Sequence, residues 1–321
     1  MNYLYVSSKR GFYFRVLEGL YGVRSEESPH KILSPNSMMP VLVSGSASPT
    51  LSSELSRRLG WKLVRPEVRR FPDGEIYLRI TSPLKGEEVV VVESLSPPQN
   101  EHLAELLLLL DLCRDLGAKK LTAVVPYLAY ARQDKRFKEG EALSIKTVAR
   151  LLEVADKVLV VEAHSKEALS YFRKIEEIKC FSLLGNHLAT LELRNPLFLS
   201  PDEGSVERVK EAAEAAGAEF DYLQKERLTG TRVKVERKKI EAKGRDVVIL
   251  DDIISTGGTM VEACKLLKGA RRILACCVHG LFVGDALKKM RKAGISKILS
   301  TDTIESRYSQ ITVAPAIAEH L

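Results

Sequence analysis

The chain has 321 residues, 45% hydrophobic and 28% charged, with a mean hydropathy of −0.08. This composition suits about two globular domains with sizeable cores and excludes wholesale disorder. It also excludes a membrane span, because the densest apolar run, residues 106–110, is bracketed by Glu105 and Asp111, far short of the roughly 20 apolar residues a span needs. The 49 basic against 42 acidic residues leave a net charge of +7, a modest excess that suits phosphorylated small molecules as well as nucleic acid.

An aromatic content of 6% is too low and too scattered for a base-stacking surface, so no nucleic-acid partner is expected. The five cysteines, Cys113, Cys180, Cys264, Cys276 and Cys277, show no CxxC spacing and read as reduced, buried thiols of a cytoplasmic protein. Only four Gln and five Asn occur, and scarce thermolabile amides are a trait of heat-adapted proteins.

Residues 1–38 differ from the rest, with Lys9 and Arg10, the cluster Phe12-Tyr13-Phe14 and then a polar stretch. They lack the apolar core and cleavage site of a secretory signal and read as a non-catalytic extension, Met38 or Met39 being an alternative start. From Pro40 the pattern is regular. Residues 41–43 predict a strand, and Leu51, Leu55 and Leu59 predict a helix that Gly60 stops. A strand at 89–92 precedes a helix carrying Leu103, Leu106, Leu107 and Leu110, with Asn100 as its cap. Then come a strand at 121–126, a helix at 145–155 and a strand at 158–161.

The second half repeats the rhythm. Strands are expected at 196–200, 220–223, 247–250, 273–278 and 298–300, and helices at 206–215, 260–267 and 286–293. Strands alternating with helices of this length mean βαβ units and parallel sheets, here in two tandem halves with a boundary near 180–186.

The sharpest motif is Val247-Val248-Ile249-Leu250-Asp251-Asp252-Ile253-Ile254-Ser255-Thr256-Gly257-Gly258-Thr259. A buried strand ends in paired acids, where open α/β sheets bind ligands. The glycine- and hydroxyl-rich loop then opens a helix whose amides can cradle a phosphate, while the carboxylates can accept bonds from a sugar diol. Taken alone, this string resembles the ribose-phosphate motif of the type I phosphoribosyltransferase superfamily. Further motifs narrow the resemblance: Phe71-Pro72-Asp73-Gly74-Glu75, Ser96-Pro97-Pro98-Gln99-Asn100, Pro126-Tyr127-Leu128-Ala129-Tyr130-Ala131-Arg132-Gln133-Asp134, Ser200-Pro201-Asp202-Glu203-Gly204 and His279-Gly280-Leu281-Phe282. Together, over residues 40–321, they resemble the ribose-phosphate pyrophosphokinase (phosphoribosyl-pyrophosphate synthetase) family.

That resemblance implies an α/β fold of two tandem phosphoribosyltransferase-type domains, each a mostly parallel sheet flanked by helices. They would span 39–180 and 181–304, with 305–321 packing back on the first. It implies transfer of diphosphate from ATP to ribose 5-phosphate in a cytoplasmic homo-oligomer, with Mg²⁺ as cofactor. By the same resemblance Phe71, Asp73 and Glu75 of one subunit reach a neighbour's ATP, and Arg132, Gln133 and Asp134 line its phosphates and ribose. Asp251, Asp252, Ser255, Thr256, Gly257, Gly258 and Thr259 hold ribose 5-phosphate, His164 and Asp202 serve the metal, and Lys225 and Arg227 are catalytic.

Two departures stand out: Glu162 replaces the family's usual Asp two residues before His164, and Ser255 stands where many relatives have Asp. Without the family, Asp73-Gly74 is a hairpin turn and the basic residues from Lys225 onward are a solvated run. The alternatives are a nucleobase phosphoribosyltransferase, which would not need the Phe71 and Arg132 elements, and a non-catalytic regulatory paralogue, which would have lost the catalytic residues. Because every matched motif follows Met39, deletion of residues 1–38 is expected to leave turnover unchanged. A steady-state assay of the truncated protein checks this, and a large loss with an intact fold would give the segment a role in the site or the assembly.

Overall fold

The structure, a computed structural model, describes residues 39–223, 225–229, 232–235 and 240–321, with the backbone alone for 225–229 and 232–235. The expectation for residues 1–38 lies outside the described residues.

In chain order the elements are β1 (Val41–Ser44), α1 (Pro49–Leu59), β2 (Lys62–Val64), β3 (Glu67–Arg70), β4 (Ile76–Arg79), β5 (Glu88–Val92), α2 (Gln99–Asp115), β6 (Lys120–Val125), α3 (Ser144–Leu151), β7 (Lys157–Val161), α4 (Lys166–Leu169), β8 (Ile175–Ile178), α5 (Phe181–Ala189), β9 (Leu197–Ser200), α6 (Val206–Ala216), β10 (Glu219–Tyr222), β11 (Lys225–Thr229), β12 (Arg232–Val235), β13 (Asp246–Ile254), α7 (Gly258–Leu266), β14 (Arg272–Gly280), α8 (Ala286–Lys292), β15 (Ile295–Thr301), β16 (Ser309–Ile311) and α9 (Ala314–Ala318). Two parallel sheets result, ordered β2-β1-β5-β6-β7-β8 and β10-β9-β13-β14-β15-β16. Both follow the same winding, and each carries an antiparallel hairpin between its second and third strands, β3–β4 in the first half and β11–β12 in the second.

Alternation along the strands sorts the core into layers. Val41, Val43, Val89 and Val91 face α2 and α3, while Leu42, Val90 and Val92 face the other way. Val247 and Ile249 face α7 and α8, while Val248 and Leu250 face inward. The inward faces of both sheets bury against one shared layer, α1, α5, α6 and α9. Within it α5 and α6 pack so closely that a Cβ on Gly185 would lie 2.1 Å from the Ala212 carbonyl oxygen. Only glycine fits there, and the alanine face of α6 (Ala212, Ala213) is its counterpart.

Several elements differ from expectation. Strand β13 runs on through both acids to Ile254, because β14 pairs with it as far as Gly280. Asn100 does not cap α2. The cap position is Pro98, and Asn100 Oδ1 instead accepts from the Tyr130 hydroxyl. The helix expected over 145–155 ends at Leu151 and tightens into a 3₁₀ turn, Leu152–Val154. Strand β3 has no buried residue and so no hydrophobic alternation to announce it. Residues 180–186, expected at a boundary, begin α5 within the shared layer. Residues 305–321 divide between the halves: β16 extends the second sheet beside β15, and α9 packs on α1.

At the carboxyl end of β5, Glu93 is fully buried, accepting from Ala47 N (3.0 Å) through one oxygen while the other has no partner. Burial, then the nearby Glu105 charge, pushes its pKa up to about 9. The folded state therefore holds a proton that the unfolded chain releases near 4.5, and stability is lost as pH rises from about 4.5 towards 9. Glu93→Gln is expected to raise the Tm at pH 8.5, with the gain vanishing near pH 5. Melting curves across that range check it.

Candidate active site

In both sheets the strand order reverses beside the first strand, and such switch points are where α/β sheets take ligands. In the second sheet the switch lies between β9 and β13, and a cleft of about 450 Å³ opens there. Asp202 and Gly204 line it from the turn after β9, and Asp251 through Thr259 line it from β13 and the start of α7. The first half contributes Arg132 and His164.

The loop after β13 turns sharply at Gly257, whose φ of +74° is left-handed. A Cβ there would meet Met290 Cγ at 3.1 Å and the Ala286 carbonyl oxygen at 3.4 Å, so α8 crowds a position whose φ already favours glycine. The turn aims the first residues of α7, Gly258 and Thr259, at the cleft, where a helix N-terminus favours an anion.

The acid pair is divided by its surroundings. Asp251 accepts from Ser205 Oγ at 2.9 Å and from the Asp252 amide at 2.9 Å. Burial, then the Asp252 charge, drives its pKa well above the carboxylate range. Burial also opposes ionisation of Asp252, but a 2.9 Å hydrogen bond from His164 Nδ1 and the charges of His164 and Arg208 outweigh it and hold that carboxyl low. Their surroundings thus push the two carboxyls apart, Asp251 up and Asp252 down.

Asp134 sits one step away, accepting from Ser165 Oγ (2.6 Å) beside His164, with its carbonyl held by the Tyr171 hydroxyl (3.1 Å). Gln133 turns to the Lys135 carbonyl (3.1 Å). Among the described residues no group of three His, Cys, Asp or Glu is arranged as a metal site.

Comparison with known proteins gives this geometry its family. Residues 40–155 match the family model for the N-terminal domain of ribose phosphate pyrophosphokinase, and 171–305 match the phosphoribosyl transferase domain. The ribose-phosphate pyrophosphokinase of Sulfurisphaera tokodaii is 41% identical, covering 88% of this chain and all of the relative. That of Saccharolobus solfataricus is 44% identical over 82% of this chain and 93% of the relative. The crystal structure of phosphoribosylpyrophosphate synthetase from Mycobacterium smegmatis superposes with a TM-score of 0.76 at 26% identity, over 88% of this chain and 97% of that one.

The chain belongs to the ribose-phosphate pyrophosphokinase family. It is an enzyme of the diphosphotransferase class, built on two phosphoribosyltransferase-type domains.

Not every expected residue of a family member meets in this cleft. Phe71, Asp73 and Glu75 sit on the exposed β3–β4 hairpin, closed by Phe71 N to Glu75 O (2.8 Å) and Gly74 N to Phe71 O (2.9 Å). Phe71 is 45% exposed and touches Tyr77 edge-on. The hairpin leans on α2 through an Arg70–Glu101 ion pair and lines a different groove with Asn100 and Leu108. Lys225 and Arg227 belong to β11, and their side chains lie outside the described residues. Residues that sequence reasoning did not assign also reach the cleft: Ser205 and Arg208. Ser205 followed from nothing but the turn after Asp202, and Arg208 is one charge among several on α6.

Proposed function

We propose that this cleft transfers the β,γ-diphosphate of ATP to the C1 hydroxyl of D-ribose 5-phosphate, giving AMP and 5-phospho-α-D-ribose 1-diphosphate. One observation carries the reading: a single cleft unites Arg132 and His164 of the first half with Asp202 and the Asp251–Thr259 string of the second. A nucleobase phosphoribosyltransferase would need the second set alone.

The ribose 5-phosphate rests on the second set. Ser255, Thr256, Gly257, Gly258 and Thr259 surround the phosphate at the start of α7. Ionised Asp252 accepts from one ribose hydroxyl, and Asp251 pairs with the diol beside it. Arg132, Gln133 and Asp134 serve the ATP phosphates and ribose. The C1 oxygen attacks the β-phosphorus in line and AMP leaves, so catalysis is chiefly alignment and charge stabilisation. Lys225 and Arg227, on the hairpin between the second and third strands, supply cations to the charge that grows on the transferring group.

Mg²⁺ fits the donor set. It takes few protein ligands, prefers oxygen, keeps water and uses substrate phosphates, so Asp202 would hold it directly and His164 through water. When bound, it neutralises phosphate charge. The exposed Phe71 hairpin lies apart from its own chain's cleft, which supports a homo-oligomer in which Phe71, Asp73 and Glu75 meet a neighbour's adenine. No helix among the described residues is long and apolar enough to cross a membrane. The need for ATP and five buried free thiols support a cytoplasmic setting.

The direct test is release of AMP from ATP and ribose 5-phosphate with Mg²⁺, and absence of product from the wild type would sink the reading. Asp251→Asn with Asp252→Asn is expected to raise KM for ribose 5-phosphate at least tenfold, the charge-assisted bond to Asp252 alone being worth about 1.5–3 kcal/mol. Unchanged use of the sugar by that variant would detach the acid pair from it. Lys225→Ala and Arg227→Ala are each expected to lower kcat by about 10²–10³ with little change in KM. Lys238→Ala and Lys239→Ala serve as controls in the same assay, and equal small effects at all four positions would remove the catalytic assignment.

A further inference from the structure

We propose that Arg208 is a positioning residue that locks the nucleotide half of the cleft to the ribose-phosphate half, so that turnover depends on it while binding of either substrate alone does not. The proposal rests on the reading of the cleft given above. Arg208 leaves α6 and meets three acceptors. Its Nε approaches Glu162 Oε2 (3.5 Å), one terminal nitrogen donates to the Ala163 carbonyl (2.7 Å), and the other faces Asp252 Oδ2 (3.4 Å). Asp252 Oδ2 also accepts from His164 Nδ1 (2.9 Å), which closes a ring. Glu162, Ala163 and His164 follow β7 of the first sheet, whereas Arg208 and Asp252 belong to α6 and β13 of the second half. The ring therefore ties the two carboxyl ends together at the level of the cleft.

Its anchor is Glu162. That side chain is fully buried, and its other oxygen accepts from Cys180 N at 2.7 Å. The Glu162 carbonyl accepts from His279 Nε2 (3.1 Å) at the end of β14, a second tie between the sheets. The Glu162 backbone has φ of +41°, left-handed and unfavourable for a residue with a Cβ, so the surrounding contacts hold the chain in a turn it would not choose.

Arg208 is poorly placed to act as a phosphate ligand. Its side chain is only 18% exposed, and two carboxylates flank its guanidinium. The planar fork serves three acceptors at once, which a lysine ammonium on a flexible stem does not reproduce. In-line transfer between two substrates held on different halves is sensitive to their relative placement, and a shift of about 1 Å costs on the order of 10² in rate.

The test compares wild type with Arg208→Lys, which keeps the charge beside Asp252, with Glu162→Gln and with the Arg208→Lys/Glu162→Gln double variant. Calorimetry measures ribose 5-phosphate alone and a non-hydrolysable ATP analogue alone, and AMP release measures kcat at saturation. Thermal melting confirms that each variant is folded. Binary affinities are expected within about threefold of wild type, with kcat down about 10²-fold for Arg208→Lys. Glu162→Gln should lose kcat in the same way although Glu162 has no exposed surface, and the double variant should be no worse than Arg208→Lys, since the two act through one ring. A tenfold or greater loss of either binary affinity would make Arg208 a direct ligand and overturn the proposal. So would a lowered Tm with kcat intact, or losses that add in the double variant. Wild type that releases no AMP would overturn the reading of the cleft and this proposal with it, whereas active wild type with unaffected variants would overturn the lock alone.

Discussion

Everything in this molecule depends on the helix layer that the two sheets share. The inward faces of both sheets bury Val, Leu and Ile side chains in one apolar layer with α1, α5, α6 and α9, α1 lying on the first sheet and α6 on the second. The closest approach in that layer, Gly185 against the Ala212 carbonyl, sets how near α6 lies to α5. Because α6 also starts beside the acid pair, that packing brings Ser205 to Asp251 and Arg208 to Asp252 and Glu162. A side chain at 185 would clash with the Ala212 carbonyl and force α6, which carries Arg208, to shift. The rigidity of a close-packed interior converts one small residue into the alignment of a site well outside it.

The two halves use the same winding for different ends. At the second switch point the loop amides and the helix start face an open cleft. At the first, the chain fills the equivalent place itself. Ser46 donates from its amide (2.7 Å) and hydroxyl (2.6 Å) to Glu105, and Ala47 N donates to Glu93. Donors on the turn after β1, the counterpart of the turn after β9, are thus held by buried acids of their own half, whereas the loop after β13 faces the cleft. The hairpins repeat this division. Each interrupts its sheet at the same point, and one carries Phe71 on its tip while the other carries Lys225 and Arg227 on a strand.

Electrostatics in the cleft follow from unequal neighbours rather than unequal residues. Asp251 and Asp252 are chemically identical and adjacent, yet one is surrounded by a hydroxyl and another acid while the other meets an imidazole and a guanidinium. Burial amplifies the contrast, because the field of a nearby charge is little screened there.

The tandem α/β architecture was legible in the sequence because parallel strands buried on both faces are continuous Val, Ile and Leu runs, and the cleft-lining loop from Ser255 to Thr259 was legible because its glycines and hydroxyls follow one such run. Asp251, Asp252 and the loop to Thr259 are contiguous, so their grouping needed no fold. Strand β3 was invisible, since an exposed hairpin arm carries no alternation, and β13 was read short, since its last residues are strand only by pairing with β14. The meeting of Arg132 and His164 with the acid pair came from a resemblance, and distance along the chain hides it: His164 and Asp252 are 88 residues apart. Arg208 was hidden most completely. On a charged helix its periodicity is that of a solvated residue, and only the burial of Glu162 and the crossing of two sheets distinguish it. Local patterns record what a segment does with its own neighbours, whereas the ring through Arg208 exists because two sheets pack on one layer, and that is decided by tertiary structure alone.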